Sequence, residues 1–491
     1  MLDISKKVKN MQKRCKKAIP YILIVLFSIA MMIFFAYNTS LLYNYIGNDS
    51  GIYLEMGRAM ARGRLVYRDL FDHKGPLIFV LNMLPQLMVE GTFGVWCLEL
   101  CFMVGGSLLI YRISRRHIEN ALALVPPIIY VWISVTLFNG GNYTEEYSNL
   151  FSLAALWVFD RWSETKAMPK KYPWLLGVCT AFVFFMRPNN IAVTAAVIIF
   201  IGVDMIRKSP KQLPQTLAFG LLGLLTVTFP IIIYHSCTGT LYDMFYATIL
   251  HNLKYCGVSR EIITFIPKDN GGKMVCFALS LILCIDSICT SYSNDRFRQA
   301  NFLLLALGIL VPAILISNHP FMYYWTLAAP LSAYSSIFIL KHIRKTKKRH
   351  LYNIAVVIIA VLAVVNSYYA VEPAEKKSYV EHYMKDAQEM YKLVPESERD
   401  DLFAYDMHSL FIYKMDVSTP CRYFDMQSWM AKTNPEIGEC CGAYVRDKKP
   451  LWIVSFSPNV VSNETINHEI LSCYTEVCHN DCGYLYKRVS D

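Results

Sequence analysis

Shortly after its first apolar stretch the chain carries Gly47-Asn48-Asp49-Ser50-Gly51-Ile52-Tyr53 and, further on, Arg68-Asp69-Leu70-Phe71-Asp72-His73-Lys74-Gly75-Pro76-Leu77. In a chain that is 54% hydrophobic, this many ionisable groups beside a bilayer are costly unless they bind or transform something charged. Asp49 has the chemistry of a general base toward a hydroxyl. It has equally the residue type of a helix N-cap, with Ser50 beside it, and both readings stand. Lys74 precedes Gly75-Pro76, where a proline can open a helix, so its ammonium would join exposed backbone N–H groups at a positive helix end and make a phosphate cradle. A lysine there can also snorkel to lipid headgroups. Departure of a sugar phosphate needs cations or strong donors, for which Lys74, Arg58, Arg187 and His73 are candidates.

The element carrying Asp49 is predicted to be a helix. Ile52, Met56, Ala59 and Met60 recur at helical spacing while Glu55, Arg58 and Arg62 line another face, which describes an amphipathic helix lying in the interface. On that reading Arg62 and Arg64 meet lipid phosphates.

The frame around these residues is that of a polytopic membrane protein. Apolar runs fall near residues 19–42, 95–111, 121–138, 148–160, 174–186, 190–206, 215–234, 274–290, 300–316, 321–340 and 351–370, about eleven spans of the length a bilayer asks for, several of them short. The formal charge of +10 does not imply nucleic acid, because the basic residues sit in short segments between apolar runs. Arg112, Arg115 and Arg116; Arg161, Lys166, Lys170 and Lys171; Arg207, Lys208 and Lys211; Arg296 and Arg298; and Lys341 to His350 follow alternate runs and are assigned to the cytoplasm. The basic start, from Lys6 to Lys17, precedes a hydrophobic run too long for a cleaved signal, so it reads as a retained anchor with a cytoplasmic N-terminus. Counting the apolar segment Pro76 to Val89 as a crossing would invert every later loop; it is therefore assigned to a juxtamembrane or re-entrant helix.

With that topology the outer face receives the segment from Asp49 to Lys74, Asn139 to Tyr147 with Glu145 and Glu146, Arg187 to Asn190, the loop His235 to Lys273, Ser317 to Pro320, and the tail from about Val371. Glu145 and Glu146 suit an acidic acceptor site or a solvated loop pair. Three divisions follow: a cytoplasmic basic N-terminus over 1–18, a membrane domain over 19–370 with its first outer loop at about 43–94, and an extracytoplasmic domain over 371–491. The last loses the apolar runs and shows strand-like pieces at Leu402–Tyr405, Leu451–Phe456 and Gly483–Tyr486 beside a helical stretch at Tyr379–Leu393, a small mixed α/β domain. Its six cysteines, Cys421, Cys440, Cys441, Cys473, Cys478 and Cys482, are an even set in an outward-facing domain and are expected to form disulfides. The alternative, a metal held by Cys473, Cys478, His479 and Cys482, lacks the C-x-x-C knuckle. No fixed-period repeat, low-complexity tract or phosphate-binding glycine loop is present.

An acidic residue at the end of the first span, a tyrosine-bearing interfacial helix, Tyr67-Arg68-Asp69 and Asp72-His73-Lys74-Gly75-Pro76-Leu77 together resemble the GT-C membrane glycosyltransferases, particularly the aminoarabinose transferase and protein O-mannosyltransferase group and its bacterial RgtA/B/C/D-like relatives. The resemblance in layout covers roughly residues 19–370. It implies an integral, multi-pass enzyme of the cell membrane that moves a sugar from a polyprenyl-phosphate carrier to a hydroxyl of a glycan, lipid or protein at the outer face, in cell-envelope glycan or glycoconjugate synthesis. Asp49 matches the family's first-loop acid, which acts as base or organises the acceptor and, in some members, a divalent cation such as Mg or Mn; where relatives often have Asp-Glu, this chain has Asp49-Ser50. Lys74 matches the lysine of a Lys-Pro-Pro element that contacts the carrier phosphate, with Gly75 in place of the first proline. Glu145 and Glu146 fall where relatives carry an acid in the second outer loop. His319-Pro320-Phe321-Met322-Tyr323-Tyr324 resembles a His-Tyr-Tyr element at a late span, from which Tyr323 and Tyr324 can bond the carrier phosphate, or else belong to an aromatic interface belt. The expected chemistry is a single inverting displacement. The rival functions are a transporter or flippase, which also keeps ionisable groups in the membrane, and a noncatalytic scaffold displaying the cysteine-rich tail.

Overall fold

The structure is a computed structural model that describes residues 2–40, 42–43, 45–119, 121–254, 271–293, 296–316, 321–345, 365 and 373–489. The expected span at 351–370, apart from residue 365, the His319-Pro320 pair and most of the second half of the 235–273 loop lie outside the described residues. In chain order the first helices are α1 (Leu2–Phe35), α2 (Asn48–Ala61), α3 (Pro76–Gln86), α4 (Phe93–His117), α5 (Val125–Leu137), α6 (Thr144–Thr165), α7 (Lys171–Met186), α8 (Ala192–Lys208) and α9 (Leu213–Cys237). Long helices follow at Gly271–Ser293, Phe297–Leu315, Ala329–Lys345 and Pro373–Lys392. Among the described residues six helices are long and apolar enough to cross a bilayer, at Lys17–Phe35, Phe93–His117, Pro188–Lys208, Pro210–Cys237, Gly272–Ser293 and Phe297–Leu315. Shorter apolar helices lie at Pro76–Gln86, Ala121–Leu137 and Lys171–Met186. At 11 residues, α3 is about 16 Å long, half of what a crossing needs.

The chain divides into two compact units. The first comprises Met1–Ala36, Trp96–Pro230 and Ile263–Glu372 and is a helical bundle. Helix α6 is its hub: Phe151 stacks on Phe182 of α7 with ring centroids 3.8 Å apart, and Phe159 stacks on Phe302 at the same separation. Small residues bring α7 against α9, since a Cβ on Gly177 would collide with the Gly220 carbonyl and one on Gly223 with the Trp174 carbonyl, the close approach that membrane helix pairs exploit. At one end of α6 the buried Asp160 pairs with Arg116 at 2.7 Å and His117 at 2.6 Å, both from α4.

The second unit comprises Tyr37–Val95, Ile231–Ile262 and Pro373–Asp491. Its sheet has four strands, β1 (Leu402–Tyr405), β2 (Trp452–Ser455), β3 (Tyr474–Asn480) and β4 (Gly483–Arg488), in the order β1-β2-β4-β3. Strand β1 runs parallel to β2, with Phe403 beside Ile453, while β4 is antiparallel to both β2 and β3. Phe403, Tyr405, Ile453 and Tyr486 close a core with Val445, Ile466 and Ile470 from the covering helices. The three expected strands are present. Strand β3 was not anticipated, because it is an edge strand exposed along most of its length and offers no apolar alternation.

Within this unit α2 packs on α3 so closely that a Cβ on Gly57 would stand 2.6 Å from the Asn82 carbonyl carbon. Gln86 Nε2 donates to the Leu54 carbonyl at 3.0 Å. The C-terminal helix Ser409–Lys414 covers another side of α2: Ser409 Oγ donates to the Asn48 carbonyl at 3.0 Å, and Tyr413 Oη donates to Gln86 Oε1 at 3.0 Å. Every residue of α2 from Ser50 to Ala59 is buried. The helix expected to float amphipathically in the interface is therefore enclosed, its charged face covered by the chain's own C-terminal segment.

Candidate active site

Asp49 lies in the first turn of α2 and is partly buried. The N-cap is Gly47, with φ −72° and ψ 160° and no side-chain cap, so Asp49 does not serve as the cap. A carboxylate in the first turn of a helix is favoured by the macrodipole.

Lys74 is held by its backbone. Its N–H donates to Asp72 Oδ1 at 2.8 Å and its carbonyl accepts from Tyr67 Oη at 2.8 Å. Tyr67 itself has φ 70°, a conformation that a residue with a side chain keeps only under constraint, and burial raises its phenol well above the usual range. Gly75 is the N-cap and Pro76 the first residue of α3, as the Lys-Gly-Pro order predicts. Lys74 is 5% exposed; its ammonium donates to His73 Nε2 at 3.0 Å and lies 5.8 Å from the centre of the Tyr53 ring. Among the described residues no carboxylate lies within ion-pairing distance of Lys74 Nζ. A buried cation with no counter-ion is costly, and it predisposes this spot to an anion.

Two residues absent from the sequence expectations complete the surroundings. The ring of His251 lies 5.7 Å from that of His73 and 5.3 Å from that of Phe71, and Asn252 Nδ2 donates to the His73 carbonyl at 2.8 Å. Burial, with Lys254 and Lys74 adding to it, pushes His251 down to about 4, so it is a neutral group at physiological pH. Nothing but a His-Asn pair in a long loop marked them beforehand.

Arg58 is placed differently from its expected role. It is buried, bonded to Glu55, 3.0 Å from Asp416 Oδ1, and donates to the Tyr413 carbonyl at 2.9 Å. Arg62 pairs with Asp416 at 2.8 Å and Glu90 at 3.3 Å, and Arg64 donates to the carbonyls of Thr419 and Asp69 at 2.8 and 2.9 Å. These three arginines fasten α2 and its exit to the C-terminal segment, in place of the lipid phosphates expected for Arg62 and Arg64.

The remaining candidates belong to the first unit. Arg187 Nη1 is 2.9 Å from Glu145 Oε1, and its guanidinium lies 4.1 Å over the Tyr324 ring. Tyr323 packs against Tyr324 and Tyr143, with centroids 4.6 and 4.4 Å apart. Glu145, Arg187, Tyr323 and Tyr324 are thus brought together. Glu146 turns elsewhere: its Oε2 accepts from the Asn142 N–H at 3.0 Å, a proton also taken by Glu99 of α4. Neither acid is a solvated loop residue, since Glu145 is 1% and Glu146 3% exposed. Gly141 permits this arrangement, with φ +88° and no room for a Cβ beside the Glu99 carboxylate.

In the C-terminal segment Asp425 is 3% exposed and its Oδ2 has no hydrogen-bond partner. The six tail cysteines, expected from their even number to pair, stand as free thiols in the structure, and Cys440 and Cys441 each lie within hydrogen-bonding reach of Cys421. The alternative metal set does not assemble either: His479 pairs with Glu476 at 2.7 Å and stacks on Tyr484. The only group of three metal-capable side chains drawn close among the described residues is His382, Asp386 and Asp481, and two of these are exposed.

Residues 9–353 match the model of the Competence-induced Ccs4 N-terminal domain family. None of the curated proteins matches the sequence. Among solved structures the chain is similar to ArnT from Cupriavidus metallidurans bound to undecaprenyl phosphate, with a TM-score of 0.64 and 12% identity over 96% of this chain and 98% of that one. It is similar also to the same protein in the apo state, with a TM-score of 0.60 and 11% identity over 95% and 97%. At such identities the likeness is one of fold. The chain has the GT-C fold that the first-loop residues led one to expect, with a small sheet-bearing region at its C-terminal end.

Proposed function

The chain belongs to the Competence-induced Ccs4 N-terminal domain family, and from that membership, the GT-C fold and the first-loop residues we propose that it is a glycosyltransferase that takes a sugar from a polyprenyl-phosphate carrier at the outer face of the membrane. The observation that carries this reading is the buried Lys74, set just before α3 with no carboxylate in ion-pairing distance among the described residues. A carrier phosphate is the anion that an ammonium beside free helix N–H groups would take. The undecaprenyl phosphate bound by ArnT supports the same donor class.

In the proposed reaction the acceptor hydroxyl oxygen attacks the anomeric carbon while the bond from that carbon to the phosphate oxygen breaks. The carrier phosphate leaves with the electron pair, its growing charge met by Lys74 with His73 beside it. Asp49 takes the hydroxyl proton. Attack opposite the leaving group inverts the anomeric centre. Arg187, Tyr323 and Tyr324 are assigned as further carrier contacts, and Glu145 as the acid that orients Arg187. The acceptor class is a hydroxyl-bearing glycan, lipid or protein of the cell envelope. The cation role that the resemblance attaches to Asp49 requires several hard oxygen ligands, and Ser50 follows where a second acid would be. A transporter has less in its favour, because Asp49 and Lys74 lie outside the helices long and apolar enough to cross a bilayer and no inverted repeat is present in the sequence.

The decisive experiment is transfer from radiolabelled polyprenyl-phosphate sugars by the purified protein, wild type against Asp49→Asn and Lys74→Ala. Transfer by wild type and its loss in both folded variants is expected. Full transfer by Asp49→Asn removes the base assignment, and lipid or solute movement without any transfer favours the transporter.

A further inference from the structure

Helix α4 carries an acid that the proposed reaction leaves unused. Glu99 lies in the first half of a helix long and apolar enough to cross a bilayer, and it is wholly buried. A carboxyl group in such a segment is costly unless it is paired or put to use. Glu99 Oε1 accepts from the Asn142 N–H, and Glu146 Oε2 accepts from the same N–H at 3.0 Å. Two carboxyl groups, one from α4 and one from the first turn of α6, thus converge on a single backbone donor within the helical unit. The chain bends to bring that donor to them: Asn139, Gly140, Gly141 and Asn142 all have φ between 54° and 91°, a run that glycine and asparagine tolerate best. Tyr147 Oη donates to Asn142 Oδ1 at 3.0 Å and holds the residue from its other side.

Glu146 is 3% exposed, and its second oxygen, Oε1, has no hydrogen-bond partner, although the Glu99 carboxyl group lies within hydrogen-bonding reach of Glu146. Two ionised carboxylates only accept, so their meeting leaves an orphaned oxygen and sets like charges side by side. One proton removes both faults. It turns one acid into a donor to the other, and the single charge that remains lies against the Asn142 N–H near the start of α6, where the helix dipole favours it. The phenols of Tyr130 and Tyr147 also lie within electrostatic reach of Glu146; an ordinary phenol, with a value of about 10, is neutral at pH 7.

We propose that Glu99 and Glu146 share one proton in the working protein, and that this acid pair positions the 139–147 loop for the site beside it. Glu145, the next residue in α6, is bonded to Arg187 at 2.9 Å, and Arg187 lies over the Tyr324 ring. A protonated pair ties the first turn of α6 to α4 and fixes where Glu145 meets Arg187; two anions push them apart. Glu99 is then a positioning residue, acting through Glu146 and Asn142. The consequence for donor binding rests on the reading of Arg187 as a carrier contact, whereas the shared proton does not.

The test is infrared spectroscopy of the full-length protein in nanodiscs at pH 7, with isotope-labelled glutamate to separate glutamic from aspartic acid bands. Wild type is expected to show a protonated glutamic acid carbonyl band. Glu99→Gln and Glu146→Gln should each remove the same band, and the double variant should remove no more than either. A wild type without any such band overturns the proposal, and this needs no variant to fold. So does a band that survives in a folded Glu99→Gln or Glu146→Gln, or a double variant that loses twice the intensity. Polyprenyl phosphate binding tests the positioning: Glu99→Gln, whose amide can donate in place of the shared proton, should match wild type, while Glu99→Ala should bind about tenfold more weakly. Equal binding by Glu99→Ala and wild type, or an equal loss in Glu99→Gln and Glu99→Ala, removes the positioning role. A wild type that shows the shared band but binds no polyprenyl phosphate sinks the donor reading alone.

Discussion

Arg58 and Tyr413 stand 355 residues apart in the chain, yet the arginine donates to the Tyr413 carbonyl at 2.9 Å and its guanidinium sits 4.5 Å from the centre of the Tyr413 ring. With Glu55 and Asp416 this makes the main fastening between the helix of Asp49 and the C-terminal segment. Removing one partner of a buried pair leaves the other unpaired. Arg58→Ala is expected to destabilise the protein by roughly 3 kcal/mol, seen as a lower melting temperature by intrinsic fluorescence in detergent. The double variant Arg58→Met with Glu55→Leu should recover much of that loss. If the double variant is stable but has lost donor affinity, Arg58 contacts the carrier after all.

The contact between α2 and α3 depends on Gly57, whose missing Cβ leaves space for the Asn82 backbone. Gly57→Ala forces backbone to move, and overpacking of this kind costs about 1–3 kcal/mol. A thermal shift in the purified variant checks this; an unchanged melting temperature means that the two helices part without cost.

His251 gives stability a pH dependence of known sign. Its folded value is depressed to about 4 from an ordinary value of about 6.5, so the folded state binds its proton less readily than the unfolded one. The contribution is fully present above about pH 6.5 and is lost as pH falls through about 4, reaching about 3 kcal/mol at most. Wild type should lose stability across that window more steeply than His251→Gln, in melting curves taken from pH 7 to pH 4. Parallel curves exclude the effect.

Asp425 has the opposite sign. An acid whose folded value is raised stabilises the protein below the ordinary carboxylate range and loses that contribution as pH rises. Asp425→Asn is therefore expected to be more stable than wild type at pH 7 and to differ little from it at pH 4. Urea or thermal unfolding at the two pH values measures the difference.

Arg187 and Glu145 are both nearly buried and bonded at 2.9 Å. Arg187→Ala should lower stability by roughly 3–5 kcal/mol, and Arg187→Lys should keep the charge while losing the flat contact with Tyr324. If Arg187→Lys folds and binds carrier phosphate as wild type does, in a surface-plasmon or fluorescence assay, the ring contact has no part in donor recognition.

Much of the frame was legible before any coordinates. Long apolar runs, the helix start at Lys74-Gly75-Pro76, and the strands around Phe403, Ile453 and Leu485 are local signals, set by periodicity and turn chemistry within a few residues. The first-loop motif carried the GT-C fold. What stayed hidden is long-range. Nothing near Arg58 announces Tyr413, and an interfacial helix and an enclosed one share the same pattern of apolar residues, so α2 was placed in the headgroups when it lies beneath a covering helix. Asp425 was passed over for the same reason: an aspartate in a polar tail becomes noteworthy only when the fold buries it. Edge strand β3 was missed because exposed polar residues such as Thr475 and Glu476 obscure alternation.

The second unit is assembled from three separate stretches of chain, and this orders events during biosynthesis. At about 5–20 residues per second, the ribosome delivers Tyr413 tens of seconds after Arg58. Through that interval Arg58 lacks Tyr413 and Asp416, and α2 waits without the segment that encloses it. The earliest loop to be made is among the last to be finished. A nascent chain interrupted before residue 413 already holds Asp49 and Lys74, but it has not yet received the helix that covers α2.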